Sequence, residues 1–214
     1  MYGMAESDHA PLRAQAALYS QDTVAERKSV LRKRLIRDRS RLSPAERAEA
    51  GRSLRDTILV LPEIGMAGAV AAYLSLGTEP DTHGLVFGLW KRGSYVLLPV
   101  LRDDNELDWA CYEGPLSLAP GPRGLVQPTT SRRGVAGIAS ADAVIVPALA
   151  ADRVGNRIGR GGGSYDRALS RVGPAVLTIA LLYEAELLDE VPVGAHDQRV
   201  RAVAQPSRGL TRFA

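Results

Sequence analysis

Apolar positions fall along the chain in two rhythms, which divide it into helices and strands. Residues 24–39 carry Val24, Leu31 and Leu35 on one stripe at helical spacing, with Lys28 and Arg32, four apart, on a neighbouring face. Thr23-Val-Ala-Glu26 reads as a capping box for this helix, and Ser43-Pro-Ala-Glu46 as one for a second helix over residues 44–60. Pro44 falls at the first helical position, where it lacks only an amide hydrogen that would have no helical partner. Residues 67–74 form an apolar run between glycines and predict a buried strand. A helix is expected over residues 81–90, and strands over 94–101 and, with alternation, 107–112. Residues 113–139 are dense in proline, glycine and serine and predict irregular structure. Beyond them the pattern predicts a strand over 143–147, a helix over 165–171 and a strand over 176–183. A short helix over 184–188 and a last strand over 199–204 complete it.

Strands that alternate with helices predict a three-layer α/β fold, a mostly parallel sheet flanked by helices. With 214 residues the chain suits one domain, assigned to residues 23–214. Residues 1–22 are polar and alanine-rich and are expected to be a loose extension. Leu, Val and Ala dominate the apolar share, with only two Phe and two Trp, which suits helices packed on a sheet. No apolar run has the length of a membrane span and no stretch resembles a signal peptide, so the expected location is the cytoplasm. Cys111 is the single cysteine, which excludes intramolecular disulfides and thiolate zinc clusters. It sits in the alternating segment Leu107-Asp-Trp-Ala-Cys-Tyr112 and is expected to be a half-buried strand residue rather than a nucleophile. His9, His83 and His196 are far apart and make no local metal pattern.

Charge adds one feature that hydropathy does not show. Between residues 27 and 55, eleven Lys or Arg stand against three acids, a net +8 in a chain whose total is +3. Two solvated helices would account for such a block, and so would an anionic ligand.

The sharpest chemical signal follows the strand at 143–147. Gly159-Arg-Gly-Gly-Gly-Ser-Tyr-Asp166 lies between that strand and a helix. Glycines let backbone amides approach an anion, and a helix N-terminus adds a favourable dipole. Arg157 and Arg160 bring fixed positive charge, and Asp166 offers a hard oxygen donor to Mg²⁺. There is no Gly-x-x-x-x-Gly-Lys-Ser/Thr, and Gly159-x-Gly161-x-x-Ser164 lacks the last glycine of the dinucleotide fingerprint. On spacing alone the stretch is either a phosphate cradle or a glycine turn capped by Asp166.

The wider segment, Val146-Pro-Ala-Leu-Ala-Ala-Asp-Arg-Val-Gly-Asn-Arg-Ile-Gly-Arg-Gly-Gly-Gly-Ser-Tyr-Asp-Arg167, resembles the signature of the 5-formyltetrahydrofolate cyclo-ligase family. Lys28-Ser-Val-Leu-Arg32 is similar to that family's opening Lys-x-x-Leu-Arg. Tyr73-Leu-Ser-Leu-Gly-Thr-Glu-Pro-Asp-Thr82 resembles its folate-side segment. Leu98-Pro-Val-Leu101, Val126-Gln-Pro128 and Val191-Pro-Val-Gly-Ala-His-Asp197 are similar to its remaining landmarks, all in family order. The resemblance implies an ATP- and Mg²⁺-dependent ring closure of 5-formyltetrahydrofolate, with or without a polyglutamate tail, to 5,10-methenyltetrahydrofolate. It implies that Lys28, Arg32, Arg157, Arg160 and the glycines Gly159, Gly161, Gly162 and Gly163 hold ATP. It gives Asp166 and Asp197 to the metal, Glu79, Leu74 and Tyr165 to the folate, and catalytic roles to Tyr165 and Arg160. The chain departs from the family where paired tyrosines are usual, with Ser164-Tyr165, and where an aromatic is usual, with Ala151. A binding protein without turnover on the same fold is the alternative. Nucleic acid is disfavoured as a partner, because no recognition motif accompanies the basic block, and no membrane partner is expected.

Overall fold

The computed structural model describes residues 10–213, with side chains described for residues 23–213. Three helices open the chain, α1 (Ala10–Ser40), α2 (Pro44–Leu59) and α3 (Pro62–Met66). Then come β1 (Ala69–Ala71), α4 (His83–Lys91), β2 (Tyr95–Leu101), β3 (Leu107–Cys111), β4 (Leu118–Pro120) and β5 (Val126–Pro128). The second half holds β6 (Ala143–Pro147), β7 (Ala150–Asp152), β8 (Arg157–Ile158), α5 (Ser164–Leu169), β9 (Leu177–Leu181), β10 (Leu187–Leu188), β11 (Ala202–Gln205) and β12 (Gly209–Arg212).

Seven strands form the central sheet in the order β12-β11-β9-β6-β1-β2-β3. The inner pairings from β11 to β2 are parallel, and the two edge pairings, β11 with β12 and β2 with β3, are antiparallel. Both faces are covered. Val70, Leu98, Ile145 and Ile179 point into one core with Leu54 of α2 and Leu85 of α4. Their neighbours Ala71, Leu97, Val144 and Ala180 point into a second core with Ala168 and Leu169 of α5. Burial on both sides is why these strands read as unbroken apolar runs. The three-layer architecture matches the sequence expectation. Cys111 ends β3, half-buried as expected.

α2 starts as its sequence predicts. The amide of Glu46 donates to Ser43 Oγ at 3.2 Å, and the amide of Ser43 donates to Glu46 Oε2 at 2.7 Å. Hydrogen bonds from the Ser43 side chain and amide hold the Glu46 carboxyl below its usual range. Ser43→Ala is therefore expected to cost about 1 kcal/mol, read as a lower denaturant midpoint at constant slope. An unchanged midpoint would show that the cap contributes nothing.

α1 differs from expectation. It runs from Ala10 straight through Thr23-Val-Ala-Glu26, so that box does not begin a helix. Ala14, Ala16 and Ala17 favour continued helix, and Pro11 is tolerated in the first turn. Residues 1–9 of the expected loose extension lie outside the described residues. At 184–188 a 3-10 turn, Glu184–Glu186, replaces the expected helix and leads into β10, which pairs with β7 in a separate small sheet. The hairpin of β7 and β8 and the polar edge strand β12 are too short for periodicity to reveal.

The topology places a crevice. From β1 the chain passes through α4 to β2 on one side, while β6, β9 and β11 extend on the other. The order of construction reverses between β1 and β6, and ligands of open α/β sheets bind outside the strand ends at such a point. Tyr73 and Leu74 follow β1 there, and Ala148 and Leu149 follow β6.

Candidate functional site

A cavity of about 640 Å³ opens at this switch point. Every candidate residue named from the sequence lines it, although they come from four separated segments of the chain. α1 supplies Lys28 and Arg32, the segment after β1 supplies Leu74 and Glu79, and the stretch from β8 into α5 supplies the glycine loop. Asp197 arrives from the segment before β11. Tyr73, Pro147, Arg39 and Arg123 also line the cavity and were not singled out from sequence.

Arg32 Nε donates to the carbonyl of Gly159 at 2.9 Å, so α1 grips the glycine loop directly. Gly161 lies at φ +107, and a Cβ there would stand 3.5 Å from Arg32 Cζ. The left-handed backbone requires glycine at this position. Gly163, at φ +68, precedes the first residue of α5, and its Cβ would stand 2.9 Å from Arg167 Nη1. Gly155 serves packing instead. At φ +86 its Cβ would fall 2.2 Å from the carbonyl oxygen of Val200.

Positive and negative groups alternate around the cavity. Lys28 pairs with Asp197 Oδ2, which also accepts the Gly194 amide at 2.8 Å. Arg157 Nη2 donates to Asp166 Oδ1 at 3.0 Å, and the Gln198 amide donates to the same oxygen at 3.0 Å. Arg160 Nε donates to Glu79 Oε1 at 3.0 Å, while Glu79 Oε2 accepts the Leu76 amide at 2.9 Å. Glu79 thus closes its own turn and faces the glycine loop across the cavity.

Burial shapes the chemistry of several groups. It pushes the Tyr165 phenol far above its usual range, and the Glu79 charge adds to the effect. Tyr73 is raised in the same direction, again chiefly by burial. Both are neutral near pH 7 and can donate a hydrogen bond but not act as a base. Burial lowers the affinity of Arg157 for its proton, opposed by Asp166. The Arg157 Nε and the Tyr73 hydroxyl are buried with no hydrogen-bond partner among the described residues. Such orphaned donors suit a site that receives an acceptor-rich molecule.

Arg39 was missed because it resembles its basic neighbours. Its guanidinium is buried and makes a bidentate pair with Glu186 at 2.6 and 2.7 Å, with a third bond to the Ala148 carbonyl at 2.6 Å. One signal was available: Arg39 follows Leu35 by four residues and so continues the buried stripe of α1.

The described residues contain no cluster of three or more His, Cys, Asp or Glu side chains suited to a metal ion. Asp166 and Asp197 could contribute one or two carboxylates to a hard cation whose other ligands are phosphate oxygens and water, as is usual for Mg²⁺. Also among the described residues, no helix is long and apolar enough to cross a membrane.

Together the fold and the crevice define a doubly covered, mostly parallel α/β protein with its ligand cavity at the sheet's switch point. Residues 24–206 match the profile of the 5-formyltetrahydrofolate cyclo-ligase family. The chain is 37% identical over 188 residues to a 5-formyltetrahydrofolate cyclo-ligase of Mycolicibacterium smegmatis, covering 86% of this chain and 95% of the relative. It is 32% identical over 178 residues to one from Escherichia coli, covering 81% and 98%. An NMR structure of an Aquifex aeolicus 5,10-methenyltetrahydrofolate synthetase superposes with a TM-score of 0.76 at 28% identity, covering 87% of this chain and 92% of that one. A Mycoplasma pneumoniae 5,10-methenyltetrahydrofolate synthetase, at 18% identity, shares the fold with a TM-score of 0.66. The chain belongs to the 5-formyltetrahydrofolate cyclo-ligase family, a family of ligases.

Proposed function

We propose that this protein uses ATP and Mg²⁺ to convert 5-formyltetrahydrofolate to 5,10-methenyltetrahydrofolate, releasing ADP and phosphate, in the cytoplasm. The formyl oxygen takes the γ-phosphoryl group, and ADP leaves. N10 then attacks the activated carbon and gives up its proton to solvent, and phosphate departs with the oxygen as the C–N bond forms. One observation carries this reading: the glycine loop with its four cations shares a single cavity with Glu79 and Tyr165.

In this reading Lys28, Arg32, Arg157 and Arg160 neutralise the polyphosphate, and the amides of residues 159–163 hold its oxygens. Asp166, with Asp197 beside it, holds Mg²⁺, which supplies charge neutralisation at the transferring group. Glu79 accepts hydrogen bonds from the pterin, whose adjacent N–H groups suit a carboxylate, and Leu74 packs against the ring. Neutral Tyr165 donates its hydroxyl hydrogen to the reacting folate. Alignment of the two substrates in one water-poor crevice contributes much of the rate.

The test is appearance of the methenyl chromophore when protein, ATP, Mg²⁺ and 5-formyltetrahydrofolate are mixed. Folded protein that binds both ligands but makes no product would instead be a binding protein on the same fold. Lys28→Ala is expected to raise the KM for ATP about tenfold, the loss of one charge-assisted contact, with a smaller change for the folate. Equal shifts for both would remove Lys28 from the nucleotide side.

A further inference from the structure

Six cationic side chains line the cavity, and their neutralisation is uneven. Lys28, Arg39, Arg157 and Arg160 each pair with a carboxylate. Arg32 and Arg123 have no carboxylate partner among the described residues. They sit on different walls. Arg32 lies on α1 against the glycine loop, whereas Arg123 lies in the turn between β4 and β5. Next to it in that turn is Gly124, whose Cβ would stand 3.9 Å from Leu76 Cδ1. A polyphosphate on the glycine loop accounts for Arg32 and leaves a second anion site unassigned.

Arg123 is held in place by its surroundings. Its backbone is left-handed, at φ 58 and ψ 27. Asn105, at φ 61, is the other non-glycine residue with positive φ among the described residues, and the two touch. Arg123 Nη2 donates to Asn105 Oδ1 at 2.8 Å, and Arg167 Nη2 donates to the Asn105 carbonyl at 2.7 Å. The hairpin that carries Arg123 is tied to β2 by the bond from the Leu101 amide to Gln127 Oε1 at 3.2 Å. Two non-glycine residues in a conformation that L side chains seldom adopt, joined by a hydrogen bond at a cavity wall, are where a site is expected to be pre-organised. The remaining guanidinium N–H groups of Arg123 have no partner among the described residues, and the side chain is exposed. Leu101, Leu107 and Leu125 form an apolar wall of the same cavity, suited to an aromatic ring.

We propose that Arg123 binds a carboxylate of the glutamyl end of the folate, and so sets the preference for a glutamate-bearing substrate over one that ends at the benzoate. This rests on the reading of the cavity as a folate site. The p-aminobenzoyl ring packs on the leucine wall, and its glutamyl carboxylate reaches the guanidinium fixed by Asn105. Arginine suits this task because its planar fork meets a carboxylate with two parallel bonds.

The test compares 5-formyltetrahydrofolate with 5-formyltetrahydropteroate, which lacks the glutamate. Arg123→Ala and Arg123→Gly are both examined, since glycine removes the guanidinium while favouring the left-handed turn. In both variants the KM for 5-formyltetrahydrofolate should rise about tenfold, the worth of a charge-assisted contact. The KM for ATP and the KM for the pteroate should stay where they are, so the preference of the wild-type protein for the glutamate-bearing substrate collapses. Equal increases for both substrates would mean that Arg123 only supports the turn, and an unchanged ratio would likewise overturn the proposal. Wild-type protein that makes no product from either substrate would instead refute the folate reading on which the proposal rests.

Discussion

Glu186→Ala is expected to destabilise the protein by about 3–5 kcal/mol, because it leaves the Arg39 guanidinium buried without its counter-charge. The Arg39 side chain is 1% exposed and that of Glu186 is 6% exposed, so water cannot take over the lost bonds. Burial alone would weaken the hold of Arg39 on its proton, and Glu186 more than reverses this. Glu186 also accepts the Tyr183 amide at 2.8 Å, so its removal orphans a second donor. In a domain of this size the loss corresponds to a melting temperature lower by roughly 10 °C. The double variant Arg39→Met with Glu186→Leu should recover part of the loss, since apolar replacement of a buried ion pair is often tolerated. Recovery should be incomplete, because the Ala148 carbonyl then loses its partner at the floor of the cavity. A melting temperature for Glu186→Ala within 2 °C or so of wild type would mean that solvent or a neighbour compensates the buried guanidinium.

That pair marks the limit of what the sequence reveals. Its partners are 147 residues apart, and nothing local couples them. What was legible rests on local physics. The runs that became β1, β2, β6 and β9 are apolar because both faces of the sheet are covered. Ser43, Pro44 and Glu46 announce α2 through bonds made within one turn. The glycine loop announces itself through composition. Its grip by Arg32 could not be read from spacing, because Gly159 lies 127 residues away. The family resemblance gave Arg32 to ATP, not to the loop carbonyl it bonds. Arg123 has no signal at all: Gly121-Pro-Arg-Gly124 reads as an ordinary turn until the cavity and Asn105 are seen beside it. Gly155 shows the opposite error that composition invites. It belongs to the same glycine-rich stretch, yet its small size is required by the Val200 carbonyl behind it.

Arg160→Ala is expected to lower kcat about 10³-fold, near 4 kcal/mol of transition-state stabilisation, in the range of other arginines that meet a transferring phosphoryl group. Stability should hardly change. The Arg160 side chain is 46% exposed, and its ion pair with Glu79 is open to solvent on that side, so its loss costs no more than about 1 kcal/mol. This separates Arg160 from Arg157, whose side chain is 3% exposed and bound to Asp166. Removing Arg157 would disturb folding and chemistry together, whereas removing Arg160 leaves folding largely intact. Arg160→Lys should restore only part of the rate, because an ammonium keeps the charge but not the planar fork. Single-turnover measurement of the methenyl product at saturating ATP and folate isolates the step from binding. A variant whose rate stays within threefold or so of wild type would remove Arg160 from the reacting centre. Its bond to Glu79 would then be its whole role, that of a clasp between the glycine loop and the turn after β1.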